Sequence, residues 1–275
     1  MKPDLSVVIP AYQQADSLAE SIRSVLDQTD VDLELIISDH ASTDGTEEVA
    51  RGFEGDPRVR VMRIAAGGGA AANWTAVTDE ARGEFLKLLP GDDTVTPGSL
   101  ARQLALLRAH PGAALVGARR RIIDAQGRAI SKRRGLQGLE AEMTGGSAVR
   151  ASVRSGTNPF GEPGAVMMRR SAFTAAGGWQ GDWSYAIDVA TYYAVLQHGS
   201  FVRDDDVAST FRISGGQWSV ALVDQQADEM SRLFAEAGRM FREVSPDDVA
   251  RGVRRARALA RQRRIVYRVL GMVKR

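Results

Sequence analysis

Cysteine is absent from the sequence, which excludes disulfides, zinc–thiolate sites and thiol catalysis and is typical of a reducing compartment. No run of about eighteen apolar residues occurs, so we predict no membrane-spanning segment. The residues that follow Met1 lack the apolar centre of a signal peptide, and these absences together predict a cytoplasmic protein. The three histidines, His40, His110 and His198, lack the spacing of metal ligands, so no histidine metal site is expected.

The 275 residues have the composition of a globular protein, with 44% hydrophobic and 25% charged residues. This excludes intrinsic disorder for most of the chain and leaves room for one large domain or two small ones. The net charge of +2 conceals an uneven distribution. Residues 249–275 contain ten of the 36 Lys and Arg residues and no acidic residue. Residues 1–248 therefore contain 26 basic and 34 acidic residues, which gives them a net charge of −8.

Apolar runs of strand length alternate with segments of helical periodicity over residues 1–115. The first and second runs are almost continuously apolar, as in parallel strands that are buried on both faces. The alternation predicts a mostly parallel, Rossmann-like α/β sheet that has right-handed crossovers and is flanked by helices. The four predicted strands are residues 5–9, 33–38, 59–64 and 84–89.

The rest of the chain is less regular. Residues 119–124 and 128–132 flank a short turn segment and predict a hairpin. Residues 135–163 are rich in Gly and Ser, and we expect a long loop with some helix there. The remaining predicted elements are a strand at 165–170, a helix at 186–198, one or two strands within 201–213, and two helices after residue 219.

Polar residues follow three of the predicted strands at the point where each strand ends. The first strand is followed by Pro10-Ala11-Tyr12, the second by Asp39, and the fourth by Gly91-Asp92-Asp93. Ligands of open α/β sheets bind at the carboxyl ends of the strands. A single polar strand end is an ordinary turn, but three that converge predict a binding site.

Each of these aspartates, and a fourth candidate, Asp188, also has a purely structural explanation. Asp39 can accept a hydrogen bond from the N3–H of a uracil ring, or it can cap the following helix, a role that suits Asp44 better. Asp92 and Asp93 can belong to a turn that binds nothing. Asp188 lies near the start of a predicted helix, where the helix dipole favours a carboxylate.

Four segments occur in an order that resembles the family 2 inverting glycosyltransferases with the GT-A fold. The resemblance extends over residues 4–215, and its first half is the more specific. It implies a nucleotide-sugar-binding part at 1–115, an acceptor-binding part at 116–218 with a smaller mixed region, and C-terminal helices with a basic tail at 219–275. The four segments are residues 6–12 (SVVIPAY), 37–46 (ISDHASTDGT), 83–93 (GEFLKLLPGDD) and 185–188 (YAID).

The resemblance implies a nucleotide-sugar donor, with UDP as the favoured nucleotide. In the family, the aspartate at the position of Asp39 binds the base, and the Pro10-Ala11-Tyr12 turn packs on the base and the ribose. Asn73 matches a family position near the sugar nucleotide. Gly91 and Asp92 belong to the same donor-binding set.

A metal ion and a catalytic base are also implied by the resemblance. In the family, the second aspartate of an Asp-any-Asp motif, here Asp92, binds a Mg²⁺ or Mn²⁺ ion that bridges the donor diphosphate. A hard divalent ion stabilises the charge that the nucleoside diphosphate gains as the glycosidic bond breaks. The family's catalytic base stands at the position of Asp188, and segments that resemble 161–167 and 177–179 shape the acceptor pocket.

Several positions depart from the family pattern. His40, Pro90 and Ile187 stand where the family often has acidic residues. These departures leave open a catalytically silent scaffold that binds a nucleotide sugar or a membrane. A nucleotidyltransferase on a related sheet is the other alternative, although residues 11–18 lack the Gly, Lys and Arg typical of a triphosphate-binding loop.

Transfer of one sugar is favoured over processive synthesis. Residues 215–218 (GGQW) lie where processive polysaccharide synthases carry Gln-x-x-Arg-Trp, and the Arg is missing. No membrane-spanning segment is predicted either. We therefore expect transfer of a single sugar to a saccharide or a lipid-linked saccharide acceptor.

The basic tail at residues 249–275 predicts contact with an anion. Its arginines are spread around a predicted helix, with apolar residues between them. Each basic residue near an anionic membrane contributes about 1 kcal/mol, so we expect peripheral contact with the inner face of the membrane. The simpler alternative is a solvated helix that packs on the acidic body of the protein. No nucleic-acid docking module is recognisable, and no nucleic acid is expected as a partner.

Overall fold

A computed structural model describes residues 2–213 and 225–269 of the chain. Within these ranges a nine-stranded sheet is flanked by helices on both faces. The strands are β1 Leu5–Ala11, β2 Leu33–His40, β3 Val59–Ile64, β4 Phe85–Leu88, β5 Ala113–Asp124, β6 Ala129–Arg134, β7 Glu142–Met143, β8 Val166–Arg169 and β9 Ser200–Ile213. The helices are α1 Ala15–Leu26, α2 Thr46–Arg51, α3 Gly69–Asp79, α4 Ser99–Ala109, α5 Gly145–Ser155, α6 Arg170–Ala175, α7 Ile187–Val195, α8 Gln226–Met240 and α9 Pro246–Val269.

The sheet has the strand order β3-β2-β1-β4-β8-β5-β9-β7, and β6 pairs with β5 outside this path. The first four strands are parallel, β8 is antiparallel to both of its neighbours, and β5 and β9 are parallel again. The predicted parallel sheet and the mixed region after it are therefore confirmed. One sheet runs through residues 1–115 and 116–218, and their division by binding role stays a prediction.

Both faces of the sheet are covered by apolar side chains. Successive residues of a strand point to opposite faces, so Val7 and Val8 of β1 belong to two different clusters. Val7 packs with Leu18 of α1 and Leu104 of α4, while Val8 belongs to the cluster that contains Phe234 of α8. Burial on both faces explains why the first strands read as continuous apolar runs.

The segment after the predicted hairpin is more regular than expected. The hairpin itself is confirmed, because β5 and β6 pair in antiparallel register. The expected long loop at 135–163 contains α5, which begins after Thr144, whose hydroxyl accepts a hydrogen bond from the N–H of Ser147 at 3.3 Å. Val149 and Val153 of α5 are fully buried in the core. The helix expected within this Gly- and Ser-rich segment is therefore present, and it is held by packing rather than by propensity.

The helix of the basic tail packs on the body of the protein. Gly252 and Ala256 of α9 are buried against its neighbours α5 and α8. Asp248, in the first turn of α9 just before the basic tail, accepts hydrogen bonds from Arg150 at 2.8 Å and from Arg154 at 2.6 Å, which ties the start of this helix to α5. The packed-helix alternative is confirmed for this part of the tail, and residues 270–275 lie outside the described ranges. In the described part of the chain, no helix has the length and hydropathy needed to cross a membrane.

Candidate active site

The three polar strand ends lie side by side at one edge of the sheet. Ala11 at the end of β1 is the register partner of Asp39 on β2, and Val8 of β1 is the partner of Leu88 on β4. Pro10 and Ala11 are buried at this edge. Tyr12, in contrast, is 58% exposed.

The Tyr12 ring stands over the edge of the sheet beside His40, with ring centroids 5.9 Å apart. His40 stands where the family that the sequence resembles often has an acidic residue, and its Nε2 lies 2.8 Å from the carbonyl oxygen of Gly67. This contact ties the end of β2 to the glycine loop before α3. Tyr12 thus provides an exposed aromatic surface on which a base can stack.

The loops after β1 and β2 are held together by hydrogen bonds. The N–H of Gln13 donates to the Ser42 hydroxyl at 3.0 Å, and the N–H of Gln14 donates to Thr46 at 2.8 Å. Asp44 accepts from the N–H of Thr46 at 3.0 Å and from the N–H of Ala15 at 3.0 Å, at the starts of α2 and α1. Asp44 therefore holds the first N–H groups of both helices, although the N-cap residue of α2 is Gly45 rather than Asp44.

Asp39 lies where the site was predicted, but its carboxylate is covered. It is fully buried, and both oxygens accept from the N–H of Ser42, at 3.3 and 3.2 Å. Arg63, its register partner on β3, contacts one carboxylate oxygen at 3.2 Å. Arg63 also contacts Glu47, and its side chain remains 42% exposed. A base could reach the Asp39 carboxylate only after the Arg63 side chain moves.

Asn73 supports the end of β1 from the first turns of α3. Its side chain is buried, and its Nδ2 donates to the carbonyl oxygen of Ala11 at 3.2 Å. Its Oδ1 has no hydrogen-bond partner among the described residues. A buried amide oxygen without a partner is costly, so it is a ready acceptor for a ligand or water. Asn73 therefore joins the predicted donor-binding residues in space.

Gly91 and Asp92 follow β4 and face the loop after β1. The carbonyl oxygen of Gly91 accepts from the Ser17 hydroxyl at 3.0 Å, and a side chain at Gly91 would collide with Gln14. The backbone oxygen of Asp92 accepts from the guanidinium of Arg212, at 2.8 Å. These contacts fix the turn, so the half-exposed Asp92 carboxylate is presented from a rigid backbone.

Asp93 is fully buried behind Asp92. One carboxylate oxygen accepts from the N–H of Arg212 at 2.8 Å, and the other has no hydrogen-bond partner among the described residues. Burial, followed by the charge of Asp92, raises the pKa of Asp93 well above its usual value. Positive charge is therefore favoured beside this pair.

The aspartate pair fits a divalent cation that is shared with a diphosphate. Within residues 2–213 and 225–269, no three His, Cys, Asp or Glu side chains are grouped as a metal site. Mg²⁺ is commonly held by one or two carboxylates together with substrate phosphates and water. The Asp92 carboxylate, backed by the unpartnered oxygen of Asp93, has the hard oxygen chemistry of such an incomplete set.

Asp188 stands in the first turn of α7. Its Oδ1 accepts from the N–H of Val189 at 2.8 Å, and its Oδ2 accepts from Nδ2 of Asn158 at 3.0 Å. Burial, followed by the charge of Glu162, raises the pKa of Asp188 to about 7, against the opposing effect of these hydrogen bonds. A carboxylate with this pKa can take up and release a proton at neutral pH.

Glu162 connects the two groups of aspartates, and the sequence did not single it out. Its negative charge raises the pKa of Asp93 and of Asp188, so it lies within electrostatic reach of both. Nη2 of Arg120 donates to Glu162 at 2.8 Å, and the Nε of Arg120 contacts its other oxygen. Glu162 belongs to a segment that the resemblance placed in the acceptor pocket, which was the only signal for it.

Asn158 was also missed. Its Oδ1 accepts from the N–H groups of Phe160 and Gly161, at 3.1 and 3.2 Å, while its Nδ2 donates to Asp188. The turn chemistry of Asn-Pro is visible in the sequence, but the contact with Asp188, thirty residues further on, is not. Residues 215–218, which bear on processivity, lie outside the described residues.

Comparison with known sequences identifies one family. The profile described as glycosyl transferase family 2 matches residues 6–176, more than half of the chain. The putative glycosyltransferase EpsE of Bacillus subtilis (strain 168) is 30% identical over 180 residues, 65% of this chain and 60% of EpsE. The putative teichuronic acid biosynthesis glycosyltransferase TuaG of the same strain is 34% identical over 107 residues, 38% of this chain and 42% of TuaG. The chain thus spans less than two thirds of either relative.

Solved structures share the fold. S. aureus TarS 1–349, in complex with UDP-GlcNAc, superposes with a TM-score of 0.67 at 16% identity, covering 86% of this chain and 66% of that chain. The mannosyltransferase PcManGT from Pyrobaculum calidifontis, in complex with GDP-Man and Mn²⁺, gives a TM-score of 0.64 at 17% identity, covering 100% of this chain and 82% of that chain. These likenesses confirm the predicted fold.

Proposed function

The chain belongs to glycosyl transferase family 2, and we propose that it moves a single sugar from a nucleotide-sugar donor to a saccharide or lipid-linked saccharide acceptor, with inversion. Family membership supports a glycosyltransferase over a nucleotidyltransferase. The observation that carries the proposal is Asp188, a largely buried carboxylate with a pKa of about 7. Through Glu162 it is linked to the Asp92–Asp93 pair at the carboxyl edge of the sheet.

The donor side of the proposed site is built from the ends of β1, β2 and β4. Tyr12 offers its exposed ring to the base, and Asn73 offers a buried amide oxygen beside the backbone of Ala11. Asp39 would accept the N3–H of uracil once Arg63 withdraws, and we therefore favour a UDP sugar. TarS and PcManGT were solved with UDP-GlcNAc and GDP-Man, which supports a nucleotide sugar as the donor class.

Asp92 would hold a Mn²⁺ or Mg²⁺ ion, with Asp93 behind it. When bound, such an ion neutralises the charge that builds up on the departing nucleoside diphosphate. A cation held by Asp92 would favour the ionised form of Asp93, as the hydrogen bond from the N–H of Arg212 already does, against the burial that raises the pKa of Asp93. The presence of Mn²⁺ in the PcManGT complex supports this assignment.

Asp188 would act as the general base. Inversion requires the acceptor hydroxyl to attack the anomeric carbon from the face opposite the nucleotide, so one base must stand on that face. The carboxylate takes the hydroxyl proton as the new glycosidic bond forms. Asn158 and Val189 hold both of its oxygens, and this fixes the direction in which the base accepts the proton.

We further propose that the protein is cytoplasmic and that residues 249–275 contact the inner face of the membrane. The packed side of α9 leaves Arg254, Arg257 and Arg261 exposed on its outer side. A cavity of about 650 Å³ between α5 and α9 is lined by four arginines, two from each helix. Arg150 and Arg154 pair with Asp248, so Arg251 and Arg255 are the arginines of this cavity that would meet phosphate headgroups or the phosphates of a lipid-linked acceptor.

A panel of nucleotide sugars tests the proposal. Each is mixed with the protein with and without Mn²⁺, and thermal unfolding is followed. We expect one nucleotide to raise the melting temperature, and to raise it more with Mn²⁺, because ligand and ion bind as one unit. If no nucleotide sugar binds, the proposal is wrong. Binding without any release of nucleoside diphosphate would favour the silent scaffold.

A further inference from the structure

The start of α7, which carries Asp188, is held by a buried carboxylate of α8. Oε2 of Glu229 accepts from the N–H of Tyr185 at 2.8 Å and from the N–H of Ala186 at 3.1 Å. The first N–H groups of a helix have no partner within the helix, and negative charge is stabilising there. Glu229 therefore fixes the backbone two and three residues before Asp188.

A second contact comes from α9. Nη1 of Arg263 donates to the Tyr185 hydroxyl at 2.9 Å, and Nη2 donates to the Thr157 hydroxyl at 3.1 Å. Gln226 of α8 also contacts the Tyr185 hydroxyl. Thr157 immediately precedes Asn158, which donates to Asp188. One guanidinium therefore bridges the segment before the base and the segment that carries its hydrogen-bond donor.

The geometry points to Glu229 and Arg263 as positioning residues for the proposed base. They contact neither the Asp92–Asp93 pair nor the strand ends, and they act through Tyr185 and Thr157. This inference rests on the proposed function of Asp188. It gives the C-terminal helices a role in catalysis that is separate from contact with a membrane.

Two features set this arrangement apart from ordinary helix packing. Arg263 is half-buried, and both terminal nitrogens of its guanidinium donate to residues that are distant in sequence, 78 and 106 positions before it. In contrast, Arg254, Arg257 and Arg261 of the same helix are exposed. Glu229 is buried without an ion-pair partner among the described residues, and its acceptors serve only the start of α7. Apolar residues would have packed these helices without burying a charge.

The test compares two pairs of variants with two controls. Glu229→Ala removes both hydrogen bonds, whereas Glu229→Gln keeps an oxygen that can accept both N–H groups. Arg263→Ala removes the bridge, and Arg263→Lys keeps one donor. The controls are Asp228→Ala and Arg239→Ala, which change exposed charges on α8.

Three quantities are measured for each protein. Deuterium uptake of the peptide that covers residues 183–190 reports how firmly the backbone at the start of α7 is fixed. Titration with UDP and Mn²⁺ reports the donor side. Turnover is the release of nucleoside diphosphate, with Mn²⁺ present, from whichever of UDP-glucose, UDP-galactose, UDP-GlcNAc and GDP-mannose the wild-type protein hydrolyses fastest.

Each alanine variant removes two hydrogen bonds to a charged group, and one such bond already corresponds to about 10-fold, so we expect each variant to lower kcat at least about 10-fold and to speed exchange at 183–190 by a similar factor. UDP affinity should stay at the wild-type value. Glu229→Gln should restore most of the turnover, and Arg263→Lys part of it. Both controls should behave as wild type.

Other results would overturn the inference. Unchanged exchange in the alanine variants would mean that these contacts do not hold α7. Faster exchange with a wild-type kcat would mean that fixing the start of α7 does not affect the base. A loss of UDP affinity as large as the loss of kcat would mean that the variants are generally unfolded. A wild-type protein that hydrolyses none of the four donors would instead contradict the proposed function, and the exchange data would still decide whether the contacts hold α7.

Discussion

Replacing Asp188 by Asn should stabilise the protein, and increasingly so as the pH rises. Burial and the charge of Glu162 raise the pKa of Asp188 from its usual 3.8 to about 7. The unfolded chain therefore loses this proton more readily than the folded protein does. The contribution of protonated Asp188 to the free energy of unfolding is therefore fully present below pH 4 and is lost as the pH rises through 7. Asn does not ionise, so the variant escapes that loss.

The size of the effect follows from the pKa difference. A pKa difference of about three units corresponds to a total loss of about 4 kcal/mol in the free energy of unfolding. About 2.5 kcal/mol of this loss occurs between pH 5 and pH 8. Asn can keep only one of the two hydrogen bonds from Asn158 and Val189, which costs about 1 kcal/mol at every pH. This cost cancels when the two pH values are compared. Since 1 kcal/mol shifts the melting temperature of a chain this long by about 2 °C, the difference between variant and wild type should grow by about 5 °C.

Urea unfolding and thermal unfolding at pH 5, 6, 7 and 8 measure this difference. The matched control is Asp182→Asn, because Asp182 is an exposed aspartate of the preceding loop. Its difference from wild type should not change with pH. If Asp188→Asn gives the same pH-independent difference as the control, the Asp188 carboxylate is not destabilised by burial, and its assignment as a base poised near neutral pH is wrong.

Three further predictions concern the donor side and the tail. Asp92→Asn should abolish the extra stabilisation that Mn²⁺ adds to UDP, with little change in the unliganded melting temperature; an increment equal to that of wild type would remove Asp92 from the metal site. Tyr12→Ala should weaken UDP binding in calorimetry by about 1 kcal/mol with little loss of stability, because the exposed ring would stack on the base and contributes little to the core; unchanged affinity would place the base elsewhere. Arg254→Glu combined with Arg261→Glu should reduce sedimentation with anionic vesicles at low salt, as added salt does for wild type; if wild type does not sediment, the membrane proposal fails.

Local patterns made the first half of the fold predictable. The apolar runs of β1 and β2 are nearly continuous because helices cover both faces of the sheet, and the boundaries of β1 to β4 lie within a few residues of those expected. Asp39 and Asp92 were found because parallel strands bring their carboxyl ends to one edge. These inferences need only the order of elements and the chemistry of the turn residues.

Long-range contacts explain what the sequence could not reveal. Asp39 is covered by Arg63 because the two are register partners on β2 and β3, and register is not visible in either strand alone. Glu162 acts between two groups of aspartates through a fold in which β8 inserts between β4 and β5. Arg263 was predicted only as part of a basic tail, because its partners Tyr185 and Thr157 are far away in sequence.

The central claim is that Asp188 activates an acceptor for attack on a nucleotide sugar. The most direct test is the Mn²⁺-dependent release of nucleoside diphosphate by wild type and Asp188→Asn between pH 5.5 and 8.5, with UDP affinity measured on both proteins. Wild-type kcat should rise with pH through about 7, as the carboxylate loses its proton. The variant should bind UDP equally well and turn over at least about 10²-fold more slowly, the usual scale for loss of a general base. A variant that matches the wild-type rate and its pH profile would contradict the account.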